Sequence, residues 1–301
     1  MSESTGFIEF SYQGECHLTW YKLIGTISPT SSRPLVVLHG GPGLSHTYLS
    51  PHARLHEQLG IPIIFYDQLG CGGRSTHLAD KSPSFWTIDL FLAELDNVLA
   101  HFGIADDFDL LGHAWGGVLA VEYAMSRSPG RLKHLVIADT PASMKLWKEA
   151  LQMLLQGLLM ETGATWRKEE EDATASGDCR EILRQFYQRH VCRLEPWPPS
   201  LTESVNAMEK DSTVRRSLLG PSQFAIDGGL KTWSAIDRLH SISCPLLVLN
   251  GRHDTVQDEC VQPFADKVKK VDWVRFEESS HTPFFEEEEK YYSVVEGFLR
   301  Q

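Results

Sequence analysis

A mainly parallel α/β sheet carrying an inserted block of helices is the fold class this 301-residue sequence predicts, and three observations predict it. Short apolar runs recur at 34–39, 61–66, 107–112 and 244–251, each the length of a strand buried on both faces, and 271–276 reads as a further strand. Segments with helical spacing separate them. Glycine-rich turns follow two of the runs, at Gly40-Gly41-Pro42-Gly43 and across Gly112 to Gly117, on the strand edge where parallel sheets build their sites.

The elements follow in chain order. An antiparallel pair opens the chain, 6–12 and 17–24, turned at Gln13-Gly14. Phe91, Leu95, Val98, Leu99 and Phe102 recur at helical intervals, so residues 86–102 form an amphipathic crossover between the runs at 61–66 and 107–112. A packed helix begins near Val118 and runs to Met125. Regular alternation stops after Asp139-Thr140-Pro141, and residues 141–238 read as helices only, broken at Gly177-Asp178 and Pro196-Trp197-Pro198-Pro199. Strand character returns at Cys244. Residues 1–140 and 239–301 are therefore expected to form the core domain, with 141–238 as a helical cap inserted into it. Apolar cap residues such as Trp147, Leu151, Met153, Leu158, Met160, Trp166 and Trp233 are expected mostly to pack the cap's own interior.

One residue dominates the functional reading. Leu111-Gly112-His113-Ala114-Trp115-Gly116-Gly117 has the spacing of a turn so tight between strand and helix that the positions flanking its apex must be small. Such a turn presents a nucleophile, and here its apex is Ala114. The other parts of nucleophilic catalysis follow in order: Asp254 after the run at 244–251, placed to orient an imidazole, and His281 after the run at 271–276, placed as the base. An oxyanion needs donors that cost no reorganisation, and the backbone N–H groups of Gly41 and Trp115 are the candidates. His39 and His113 lie inside tight motifs and are read as structural, and Asp67 as a loop-ordering residue.

Taken together, His39 to Gly43, Tyr66-Asp67-Gln68-Leu69-Gly70-Cys71-Gly72 with Arg74-Ser75, the turn at Ala114, Gly251-Arg252-His253-Asp254 and Ser280-His281 resemble the proline iminopeptidase family of α/β-hydrolases over nearly the whole chain. Residues 192–199, 220–224 and 230–233 are similar to the branch that contains the tricorn-interacting aminopeptidases. The resemblance implies an α/β-hydrolase fold, a serine at position 114, and a cap whose Gln223 and Phe224 face the substrate. It also implies glutamates at positions 223 and 255 to hold a free α-amino group. This chain has Gln223 and Thr255, which are neutral and cannot make that charge-assisted contact. An extra glycine, Gly72-Gly73, is a further departure.

The expected function is a serine hydrolase cutting an amide, ester or lactone bond of a small molecule or short peptide that needs no free amine. Ala114 then marks an inactivated variant whose nucleophile serine has been replaced. The alternatives are a natural pseudo-hydrolase that binds ligand, or a non-hydrolytic enzyme using His281 and Asp254 as general base. A formal net charge of −12 and a pI near 5.5 argue against nucleic acid as partner. The first residues show neither a basic segment nor an apolar run, so no membrane segment is expected and a cytoplasmic location is. The six cysteines lack metal-ligand spacing, so no metal or other cofactor is expected, and the thiols read as reduced. The acidic runs at 168–172 and Glu286 to Glu289 read as solvated, with Glu286 pairing Lys290 on the last helix.

Overall fold

Strands β1 (Glu3–Tyr12), β2 (Glu15–Ile24), β3 (Leu35–Leu38), β4 (Ile63–Asp67), β5 (Phe108–His113), β6 (Leu132–Ala138), β7 (Leu246–Gly251) and β8 (Val271–Phe276) join in one sheet of order β1-β2-β4-β3-β5-β6-β7-β8. The structure is a computed structural model describing residues 2–28, 30–127, 130–164, 177–222 and 224–301. Gln223, Trp166 and the acidic run 168–172 lie outside the described residues. The first two strands pair antiparallel, β2 runs antiparallel to β4, and every later pairing is parallel.

The apolar runs are apolar because both faces of the sheet are covered. Every residue of β3, β4, β5 and β7 is buried. Alternate residues divide between two cores. Val36, Leu38, Ile64, Leu110 and Val248 pack under α2 (Ile88–His101) and α3 (Trp115–Ser126). Leu35, Val37, Ile63, Leu111 and Leu249 pack on the other face with α1 (Arg54–Leu59) and the last helix, whose Tyr291, Tyr292 and Val295 point inward. Thr87 caps α2 by accepting from Leu90 N at 3.2 Å, which fixes where the crossover starts.

Between β6 and β7 the chain builds α4 (Met144–Thr162), α5 (Gly177–His190), α6 (Pro199–Lys210) and α7 (Thr213–Leu218). It leaves and returns at one place. Met144 N donates to Trp233 O at 3.0 Å, Ala235 N to Ala142 O at 2.9 Å, and Glu122 on α3 accepts from Trp233 Nε1 and Arg238. On α4 the buried positions are Met144, Ala150, Leu151, Leu155 and Leu158, whereas Met153 and Met160 are exposed, contrary to expectation. The helical period puts 153 and 160 on the face opposite that stripe. The helix after β7, α8 (Asp258–Lys267), completes the first core with Cys260, Val261 and Phe264. All six cysteines are free thiols, and no helix among the described residues is long and apolar enough to cross a membrane.

One buried carboxylate on α2 reaches the loop after β4. Glu94 accepts from Thr19 Oγ1 at 2.5 Å and from Leu69 N at 3.0 Å. Burial pushes its carboxyl up from 4.5 to about 7. The folded chain therefore holds this proton more tightly than the unfolded chain, a contribution present below pH 4.5 and lost as pH rises through about 7. Urea unfolding of the unaltered chain and of its Glu94→Gln variant at pH 5 and pH 8 should show the variant gaining relative stability with pH, by up to about 3 kcal/mol. An unchanged difference between the two pH values would refute this account of Glu94.

Candidate active site

The turn between β5 and α3 is built under strain. Ala114 sits at φ 52°, ψ −115°, a region L-residues rarely adopt and one that costs about 1–3 kcal/mol. Its neighbours explain the small residues: a Cβ on Gly112 would overlap the Gly116 carbonyl, and one on Gly116 would overlap that of Leu38. Ala114 N donates to Ala138 O at 2.9 Å, locking the turn to the end of β6.

Two loops bring a carboxylate and an imidazole to the same edge. Arg252 N donates to Phe276 O at 2.8 Å and His253 N to Ser279 O at 2.9 Å, so the loop after β7 is zipped to the loop after β8. Asp254, fully buried, accepts from His281 Nδ1 at 2.6 Å and from Thr255 Oγ1 at 3.2 Å. With Nδ1–H donated to a carboxylate, the other ring nitrogen of His281 is the one left to take a proton. Ala114, Trp115, Gly41, Pro42 and His281 line one small cavity of about 40 Å³, closed by Met144, Trp147, Leu219 and Leu230 from the segment between β6 and β7. That space holds a few waters at most.

Gly41, at φ 115°, makes a turn that a side chain would block, since a Cβ there would overlap Gly43 N and Leu44 N. Gln68 braces this turn from behind: its Nε2 donates to His39 O at 3.0 Å, and its Oε1 accepts from Trp115 Nε1 at 2.8 Å. Gln68 N donates to His39 Nε2, so the ring's Nδ1–H donates to Gly40 O. Burial takes His39 down to about 4, which keeps it neutral. His113 is equally fixed. Its Nε2–H donates to His281 O at 2.8 Å and its Nδ1 accepts from Tyr48 Oη at 2.8 Å, while Gly40 N donates to that hydroxyl oxygen. Burial and His281 hold His113 well below the usual imidazole range. His113 thus ties the strained turn, the glycine turn and the His281 backbone together.

The remaining described candidates are not among the residues that line this cavity. Thr255 bridges Asp254 and Trp147 Nε1, the latter at 3.3 Å. Phe224 packs edge-on against Phe186 of α5 with ring centroids 5.0 Å apart. Gly72, the first of the paired glycines, sits so close to Asp67 that a Cβ would overlap its carboxylate, and Gly73 N donates to His77 Nε2. Asp67 itself accepts from His46 N, His46 Nδ1 and Arg74, which orders the loops on either side.

Two acids were not singled out from the sequence as site residues. Asp139, directly after β6, lines the cavity, and strand-end position was the signal that could have found it. Glu286, in the short helix α9 (Pro283–Glu286), differs from expectation: it is not paired to Lys290, which lies 3.5 Å from Glu287 instead. Glu286 accepts from Ser280 N at 2.9 Å, Ser280 Oγ at 2.8 Å and Arg193 N at 2.7 Å, and Glu287 accepts from Ser279 Oγ at 2.6 Å. These two carboxylates hold the loop that carries His281. Only the outer half of the acidic run, Glu288 and Glu289, faces solvent, where α10 (Glu288–Leu299) meets Arg54.

The family model described as alpha/beta hydrolase fold matches residues 33–288. A proline iminopeptidase of Saccharolobus solfataricus is 33% identical over 276 residues, covering 90% of this chain and 86% of its own. One from Lactobacillus helveticus is 29% identical over 286 residues, 94% of either chain. Among solved structures, a proline iminopeptidase of Mycobacterium smegmatis superposes with TM-score 0.88 at 37% identity, and VinJ with TM-score 0.88 at 39% identity; each alignment covers 99% of this chain and 98% of the other. The fold and the site's layout define an α/β-hydrolase. The chain belongs, within that class, to the proline iminopeptidase-like family.

If Glu286 anchors the His281 loop, Glu286→Ala leaves part-buried donors without a partner and should lower the unfolding free energy by about 2 kcal/mol. In urea unfolding the control Glu289→Ala, an exposed residue paired with Arg54 at the surface, should leave the midpoint where it was. Equal midpoints for all three proteins would count against the anchoring role.

Proposed function

We propose that this chain is a serine-type acyl hydrolase whose nucleophile position is occupied by Ala114. A serine there would attack an amide, ester or lactone carbonyl of a small molecule or short peptide. His281 would take the hydroxyl proton and return it to the leaving group, Asp254 would hold the imidazole, and the Gly41 and Trp115 N–H groups would bind the oxyanion. The observation that carries this reading is the convergence of Ala114, Gly41, Trp115 and His281 on one cavity, with His281 hydrogen-bonded to Asp254 at 2.6 Å. With a methyl group at the apex the attack has no nucleophile, so the chain as it stands is the inactive form.

Retained strain supports this reading over a natural ligand-binding pseudo-hydrolase. A residue at φ 52° with no chemistry to serve gains from becoming glycine, yet a side chain persists there. The segment 141–238 serves as the cap, since Met144, Trp147, Leu219 and Leu230 close the cavity. Three of the relatives named above are proline iminopeptidases, which makes a peptide-like substrate natural. The free amine is a different matter. Thr255 is neutral and already engaged with Asp254 and Trp147, so the position offers an ammonium no charged partner. The substrate is therefore read as one with a blocked amine, an ester or a lactone.

Ala114→Ser should restore labelling by a fluorophosphonate and raise kcat/KM on esters or amides by about 10⁴-fold or more, with His281→Ala in that background removing the gain. N-acylated substrates should outrun the free-amine aminoacyl anilides. Turnover by the unaltered chain that disappears in His281→Ala would point to general-base chemistry instead, and ligand binding without turnover in either protein would point to a binding function.

A further inference from the structure

Two buried carboxyl groups meet where β6 and β7 end. Asp139 and Asp254 are both fully buried, and one oxygen of each lies with a His281 ring nitrogen so that the three atoms are all within 4.8 Å of one another. On one side of the pair every oxygen is accounted for. Asp139 Oδ1 accepts from Gly251 N at 3.3 Å, and Asp254 Oδ1 accepts from His281 Nδ1 and Thr255 Oγ1. On the other side, neither Asp139 Oδ2 nor Asp254 Oδ2 has a hydrogen-bond donor among the described residues. His113 Nε2 lies 3.6 Å from Asp139 Oδ2, but its hydrogen is already given to His281 O at 2.8 Å.

Two ionised carboxylates in this position would leave two buried oxygens without donors beside a like charge. The charges acting most strongly on Asp139 are themselves negative, Asp254 and, from α9, Glu286. The other titratable groups facing it are His113 from β5, His281 from the loop after β8, Tyr48, and Tyr291 from α10. One hydrogen resolves the conflict.

We propose that Asp139 is held as the neutral acid and donates its hydroxyl hydrogen to Asp254 Oδ2, so that the two groups share one proton and Asp139 positions the Asp254–His281 couple. Burial, reinforced by the charge of Asp254, pushes Asp139 well above the usual carboxylate range. The positioning role rests on the catalytic reading given above, whereas the shared proton does not. One consequence bears on specificity. Asp139 lines the cavity, and as a neutral acid committed to Asp254 it offers no anionic anchor to a substrate ammonium, in line with a substrate whose amine is blocked.

The proton can be observed in the unaltered protein. With ¹³C-carboxyl aspartate labelling, one side-chain carbon should keep the chemical shift of a protonated acid at pH 7.5, and Asp139→Asn should abolish that signal alone. If every aspartate carbon reads as ionised at that pH, or if the protonated signal survives Asp139→Asn, the proposal is wrong. In the Ala114→Ser background, Asp139→Ala should lower kcat by roughly 10²-fold with KM little changed, and Asp139→Asn, which can still donate to Asp254 and accept from Gly251 N, should recover most of that loss. Equal losses in the two variants would also overturn it. An inactive Ala114→Ser protein would sink the catalytic reading while leaving the labelling result to decide the proton.

Discussion

The hydrogen bond from His281 Nδ1 to Asp254 Oδ1 is the interaction on which the rest of the site depends. A carboxylate removed from water loses its solvation, so burying Asp254 completely is tolerable only if protein groups replace that water. The imidazole and the Thr255 hydroxyl supply one oxygen, and the neighbouring Asp139 faces the other. The loops after β7 and β8 cannot then choose their conformations independently, because Gly251 is pressed against the Ser279 and Ser280 carbonyls and His253 N is bonded to Ser279 O. Glu286 and Glu287 close the arrangement from outside by taking the N–H and O–H groups of the same loop.

A second set of contacts steadies the other wall of the cavity, and it uses histidines that never need to charge. His39 and His113 are both buried and both committed at each ring nitrogen, one to Gln68 and Gly40, the other to Tyr48 and the His281 carbonyl. Fixing the tautomer fixes which neighbour accepts and which donates, so the glycine turn, the strained turn and the His281 backbone are held in one register. Glu94 extends this bracing down to α2 through Leu69 N, beside the Gln68 that holds Trp115. The imidazole that faces the cavity is therefore the one left with an uncommitted ring nitrogen.

Much of this was legible in the chain because it depends on local rules. Buried parallel strands must be apolar on both faces, so 34–39, 61–66 and 244–251 announce themselves, and a turn as tight as that at Ala114 leaves room only for glycine at 112 and 116. Asp254 and His281 stand where strands end, which is also a local signal. Glu286 was misread because its partners, Ser280 and Arg193, are set by how separate segments pack, and an acidic run beside a lysine looks like any solvated helix face. Asp139 posed the same difficulty: its meaning comes from Asp254, more than a hundred residues away. Met153 and Met160 show the limit of composition, since apolar content says nothing of the phase that turned them outward.

The backbone at position 114 gives the last step. Strain of about 1–3 kcal/mol at φ 52° is not held by Ala114 itself, whose methyl group makes no bond that could offset it. It is imposed by surroundings that leave the turn no alternative: Ala114 N is bonded to Ala138 O, Thr140 Oγ1 to the Ala114 carbonyl at 3.3 Å, and glycines two residues away on either side admit the crossing chain. Such a turn keeps its shape whatever small side chain sits at its apex. The direction in which the side chain at 114 leaves the turn is therefore a property of the whole fold rather than of the residue, and a one-atom change there does not ask the fold to move.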